Sequence, residues 1–87
     1  SISAIYEDNQ NEFWIGTTLH GLYRFDNNMK MIAHYTRNTP QMKLADNYIS
    51  TIYQDSDRNI WIGHRKNGLS KINIDTNQLT TYTSDNS

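Results

Sequence analysis

The 87-residue sequence predicts an all-β fold of two consecutive four-stranded antiparallel units. Three observations carry that prediction. The chain repeats itself at an offset of 47 residues, each copy breaks into four short runs of β-branched and aromatic residues, and no helix of useful length is visible. At that offset Ile2-Ser3-Ala4-Ile5-Tyr6-Glu7-Asp8 aligns with Ile49-Ser50-Thr51-Ile52-Tyr53-Gln54-Asp55. Trp14-Ile15-Gly16 then matches Trp61-Ile62-Gly63, Gly21-Leu22 matches Gly68-Leu69, and Tyr35-Thr36 matches Tyr82-Thr83, all without a gap. About a dozen identities over some 35 positions, gathered in strand-like blocks, are hard to obtain by chance in a chain of mixed composition.

In the first copy the strands are expected at Ile2 to Glu7, Phe13 to Thr17, Gly21 to Asp26 and Met31 to Thr36. The second copy repeats them at Ile49 to Gln54, Ile60 to His64, Gly68 to Ile74 and Leu79 to Thr83. Asn, Asp, Gly and Gln separate the runs, as tight turns require. Gly16, Gly21, Gly63 and Gly68 bracket the connection between second and third strands, where backbone freedom or close approach of strands is needed. Ile2, Ala4 and Tyr6 alternate with Ser3, Ile5 and Glu7, so apolar groups lie on both faces of the first strand. That pattern suits a sheet held between two others.

Four antiparallel strands repeating at somewhat over 40 residues is the arithmetic of a β-propeller blade. Residues 1–36 form the first blade, 37–48 an inter-blade connection holding the only proline, 49–83 the second blade, and 84–87 the start of a next connection. Trp14 and Trp61 recur at one place in each blade. They are read as packing groups between blades rather than sugar-stacking platforms, because a packing contact must recur and a ligand contact need not. Two blades leave two outer faces wet, and about four to eight close a ring. The chain is therefore expected to be a fragment of a larger propeller or to oligomerise into one, and a start at Ser1 rather than Met points to a piece of something longer.

Composition narrows the function. A net charge of −1 offers no electrostatic footprint for nucleic acid or anionic lipid. With no cysteine, disulfide scaffolds, thiolate zinc sites and thiol catalysis are excluded. No apolar run approaches the roughly 18 residues of a membrane span. Glycine-rich phosphate loops need a following helix, and none is expected, so no nucleotide cofactor is implied.

The string Ile-Ser-x-Ile-Tyr-x-Asp, then Trp-Ile-Gly, then Gly-Leu followed two residues later by Arg24 or Lys71, then an aromatic ending, resembles the two-component regulator propeller repeat over nearly the whole chain. The resemblance implies blades from the periplasmic sensor region of a hybrid two-component system of Bacteroides type. In such parents a histidine kinase and a DNA-binding response regulator lie elsewhere. The family pattern Asp-x-x-Gly-Asn before Trp is altered here, since Gln10-Asn11-Glu12 and Asp57-Arg58-Asn59 lack the turn glycine. Gly16-Thr17 becomes Gly63-His64 in the second copy, which makes His64 a local acquisition.

Asp55, Asp57 and Asn59 reproduce the opening of a calcium loop, and Asp8, Gln10 and Glu12 echo it. Ile60 and Lys66 occupy the positions of the required glycine and bidentate glutamate, so these residues are read as turn formers and no metal site is expected. His20, His34 and His64 are not repeat-equivalent and have no helical zinc spacing, and no catalytic residues are proposed. The loops Thr17 to His20 and His64 to Asn67 differ most between matching copies, and variation on a fixed scaffold is where recognition resides. With the first strand innermost, these loops share one rim with the connection from Arg37 to Tyr48. His20, Arg37, His64, Arg65, Lys66 and Asn67 are the candidate ligand-binding residues, with Arg65 and Lys66 suited to uronate or sulfate groups. The role that the resemblance implies is non-catalytic oligosaccharide sensing and signal transduction, with further blades in cis or by self-association. The alternative is an architectural protein-protein or dimerisation module without a small ligand.

Overall fold

The computed structural model describes residues 1–83, and the connection expected at 84–87 lies outside the described residues. Eight strands run in chain order: β1 (Ile2–Glu7), β2 (Phe13–Thr17), β3 (Leu22–Phe25), β4 (Met31–Tyr35), β5 (Ile49–Gln54), β6 (Asn59–His64), β7 (Leu69–Asn73) and β8 (Gln78–Tyr82). They form two four-stranded antiparallel sheets with strand orders β1-β2-β3-β4 and β5-β6-β7-β8. Each sheet is a meander. β1 and β5 are neighbours across the gap between sheets, which places the first strands of the two blades side by side.

β1, β2 and β5 keep the expected limits, the other strands move by one residue at one or both ends, and the glycines explain the later starts of β3 and β7. Gly21 and Gly68 have φ of +81° and +100°, so they end the turn instead of starting the third strand. A side chain at either would strike the carbonyl oxygen of Tyr35 or Tyr82, which leaves glycine as the residue that fits. Asn59 joins β6 and Gln78 joins β8 because they complete ladder pairs with Asn73.

The missing turn glycines have a specific consequence. Asn11 and Arg58, at the place where the family has glycine, keep the left-handed backbone with φ of 61° and 66°. In each turn the Asp carboxylate holds the backbone in that shape. Asp8 Oδ1 accepts the N–H groups of Gln10 at 2.8 Å and Glu12 at 3.0 Å. Asp55 Oδ1 accepts those of Asp57 at 2.9 Å and Asn59 at 3.0 Å. Met29 adopts the same geometry after Asp26, with φ of 62°.

The core lies between the blades. On one face of the first sheet, Trp14 pairs with Arg24 and Gly16 with Leu22, which continues to Tyr35 on β4. Trp14, Leu22 and Tyr35 form one buried cluster with Leu44 of the connection and Ile49, Ile60, Ile62 and Ile72 of the second blade. Each fully buried Ile or Leu contributes about 1.5–3 kcal/mol. Gly16 permits a close approach of the two blades: a Cβ there would collide with the Ile49 side chain. The Ser3 hydroxyl donates to the Ile49 carbonyl, and Asn9 and Gln54 exchange two hydrogen bonds across the lower rim at 2.9 and 3.1 Å.

Candidate functional site

Three chain segments converge on the opposite rim, as the alternation of antiparallel turns dictates. The β2–β3 loop supplies Thr18 and Leu19, the connection supplies Asp46, Asn47 and Tyr48, and the β6–β7 turn supplies Arg65 and Lys66. Together they line a cleft of about 310 Å³ between the blades. Asn47 joins the segments: its carbonyl accepts Gly21 N–H at 3.0 Å and its side-chain Oδ1 accepts Arg37 N–H at 2.8 Å. Asn67 Nδ2 donates to Asp46 Oδ2 at 3.3 Å. The Arg65 guanidinium lies 5.5 Å from the Tyr48 ring centre, over its face, which holds a cation at the mouth of the cleft.

Of the six candidates from the sequence, Arg65 and Lys66 line the cleft and Asn67 braces its acidic wall. His64 lies beneath, half-buried, and both its ring nitrogens are already engaged, with the Tyr48 carbonyl at 2.9 Å and Ser70 Oγ at 2.8 Å. Burial pushes the His64 imidazole below its ordinary 6.5, against the raising effects of the Tyr48 carbonyl and Asp46. Arg37 contributes a backbone N–H to the rim and does not line the cleft. His20 is outside it too, exposed, with its carbonyl accepting from His34 Nε2 at 2.6 Å. Tyr48, Asp46 and Asn47 were not singled out from the sequence. Their signal was present, because they stand at the end of the one long connection, directly before the repeat resumes at Ile49.

A wider depression of about 630 Å³ lies between Pro40–Met42 and Thr76–Leu79, and it carries no charged side chain. In the smaller rim cleft, by contrast, charge and an aromatic face converge. The calcium-like residues are turn formers: Asp55 Oδ2 accepts Trp61 Nε1–H at 2.7 Å and Asn59 Nδ2–H at 3.1 Å, and its Oδ1 accepts two backbone N–H groups. The Trp61 indole, then the Asn59 backbone, hold the Asp55 carboxyl at about 2, below the ordinary 3.8. Among the described residues no three His, Asp or Glu side chains are placed to hold a metal ion.

The sequence profile of the two-component regulator propeller matches residues 1–18 and 43–66, the first two strands of each blade with the end of the connection. Each blade carries the match to the two-component regulator propeller repeat in its first two strands. Solved structures agree on the fold. The extracellular domain of BT3049 from B. thetaiotaomicron, assigned as a hybrid two component system, superposes with a TM-score of 0.77 at 25% identity. Two structures of the extracellular domain of BT4673 from the same organism give 0.78 at 23% and 0.76 at 24%, one titled a hybrid two component system and the other a one component system. Each match covers 93% of this chain and 11% of the other, so the repeats span about a ninth of those domains. No curated protein matches the chain.

Proposed function

We propose that these propeller repeats belong to the extracytoplasmic sensing region of a hybrid two-component system and bind an oligosaccharide without chemical turnover. The observation that carries this reading is the rim cleft. Loops that differ between otherwise matching blades bring Arg65, Lys66 and the Tyr48 ring together, and neither cation has an ion-pair partner among the described residues. An aromatic face beside donor-rich cations suits a sugar ring bearing a carboxylate or sulfate. Ligand that favours one arrangement of the two blades would bias a downstream kinase through its differential affinity. Calorimetric titration with neutral, uronate and sulfated oligosaccharides tests the site. The Arg65→Ala, Lys66→Ala double variant should weaken the acidic sugars about tenfold or more while the far-ultraviolet spectrum is unchanged. Equal affinity in both proteins would remove the cleft from consideration.

The architectural reading also has an observation of its own. The faces left open at the two ends are repeat-equivalents of the faces joined in the middle. Ile2 is 62% exposed and Tyr53 also 62%, and Ser50 and Gly63 stand where Ser3 and Gly16 grip Ile49. The occupant that fits is another blade of this repeat, and a second copy supplies it when this chain is alone. Tyr53→Asp would then prevent association and leave sugar binding intact.

A further inference from the structure

His64 reaches the connection directly through Nδ1 and, by way of Ser70, through Nε2, and hydrogen-bond accounting fixes its state. The Tyr48 carbonyl can only accept, so Nδ1 carries the proton. Ser70 Oγ accepts Ala45 N–H at 2.9 Å, which leaves the Ser70 hydrogen to be donated to Nε2. Ser70 is fully buried, so that hydrogen has no water to turn to. The imidazole is therefore neutral, with the proton on Nδ1.

The residues that this chain of bonds pins, Ala45 and Tyr48, are the two ends of the Asp46–Asn47 wall of the rim cleft. The first blade has nothing comparable. Its counterpart Thr17 bonds Gly21 O and His20 N within its own loop, and the counterpart of Ser70 is Tyr23, stacked on His34 at 4.0 Å. We propose that His64 and Ser70 form a proton-sensitive latch that holds the connection wall of the rim cleft in place and releases it when His64 becomes an imidazolium.

A proton on Nε2 turns an acceptor into a donor. Ser70 Oγ would then face two donors, His64 and Ala45, and its own hydrogen would be orphaned in a buried site. The groups around the ring oppose one another. Burial disfavours the cation, while the Tyr48 carbonyl and Asp46 on the connection favour it. Arg65 and Lys66 are the charged residues of the β6–β7 turn that line the same cleft, and the β2–β3 residues Thr18 and Leu19 are uncharged.

Nitrogen-15 spectroscopy of the imidazoles, with backbone amide shifts recorded from pH 8 to 4, tests the latch with no ligand present, so its outcome is independent of the sensing reading. The expected result is a His64 ring protonated on Nδ1 at neutral pH. Ala45, Asn47 and Tyr48 amides should move with its midpoint, which lies below 6.5. After correction for intrinsic rates, Ala45 amide exchange should be roughly tenfold faster below that midpoint, as loss of one hydrogen bond implies. His64→Thr, which installs the first blade's residue, should abolish that dependence. Should that variant fail to fold, Ser70→Ala keeps the ring and severs its link to Ala45, so the Ala45 response alone should vanish. A His64 protonated on Nε2, or Ala45 and Tyr48 amides that ignore its titration, would overturn the proposal.

Discussion

Trp14 and Trp61 make the same local bonds in two different settings. Each donates its indole N–H to the Asp that anchors the preceding turn, at 2.8 Å to Asp8 and 2.7 Å to Asp55, and each stacks on the last aromatic of its blade, Tyr35 or Tyr82. Trp14 is fully buried under the second blade, whereas Trp61 is half-buried. The cation above each ring follows suit. Arg24 lies 4.7 Å from the Trp14 ring centre and pairs with Glu12 at 2.7 Å, while Lys71 lies 5.4 Å from that of Trp61, with Asn59 in the place of Glu12. A blade thus makes its turn, ladder and Asp–Trp bond by itself. Desolvation of its Trp face comes from the next blade.

The comparison is sharpest for the tryptophans themselves. In urea titrations of the single chain, held apart by Ile2→Asp, Trp14→Ala should cost about 3–5 kcal/mol, as a large cavity does, and Trp61→Ala about 1–2 kcal/mol. Equal costs would mean that both faces are covered. Glycine substitution should rank the same way. Gly16→Ala drives a methyl into Ile49 across the blade junction and should cost about 1–3 kcal/mol, whereas Gly63→Ala meets the Thr51 hydroxyl, which can rotate, and should cost under about 1 kcal/mol.

The turns give smaller, opposite changes. Asn11→Ala forces a poorer residue into the left-handed region and should lose about 1 kcal/mol. Arg58→Gly should gain about 1 kcal/mol, less the roughly 0–1 kcal/mol of its exposed ion pair with Asp75 at 2.8 Å. Acidification should weaken two sets of bonds in the second blade, in two windows. The His64 pKa is depressed, so its contribution is complete above 6.5 and is lost as pH falls through its folded value. The Asp55 contribution is complete above 3.8 and disappears as pH falls toward about 2. Urea midpoints between pH 8 and 2 should show both decreases, and His64→Thr should remove the first.

Much of this was legible in sequence because repetition displays the strands twice. The eight strands, the shared rim and the packing role of Trp14 all follow from pattern and alternation. The role of Asp8 and Asp55 did not, because the Asp–Trp distance of six residues has meaning only once a left-handed turn folds the carboxylate back under the indole. Within the site, Arg65 and Lys66 were visible as a basic turn unlike its counterpart Thr18-Leu19. The engagement of His64 was not, since Tyr48 is brought to it, and Ala45 to its partner Ser70, by the path of the connection, which no periodicity encodes.

The claim that the chain's two ends carry the halves of the interface buried in its middle is tested most directly by its mass in solution. Light scattering should give a discrete multiple of 10.2 kDa at micromolar concentration, and Ile2→Asp, which alters only an exposed side chain of the first blade, should return it to a single chain. A folded particle of 10.2 kDa with both end faces bare, unaffected by Ile2→Asp, would contradict it.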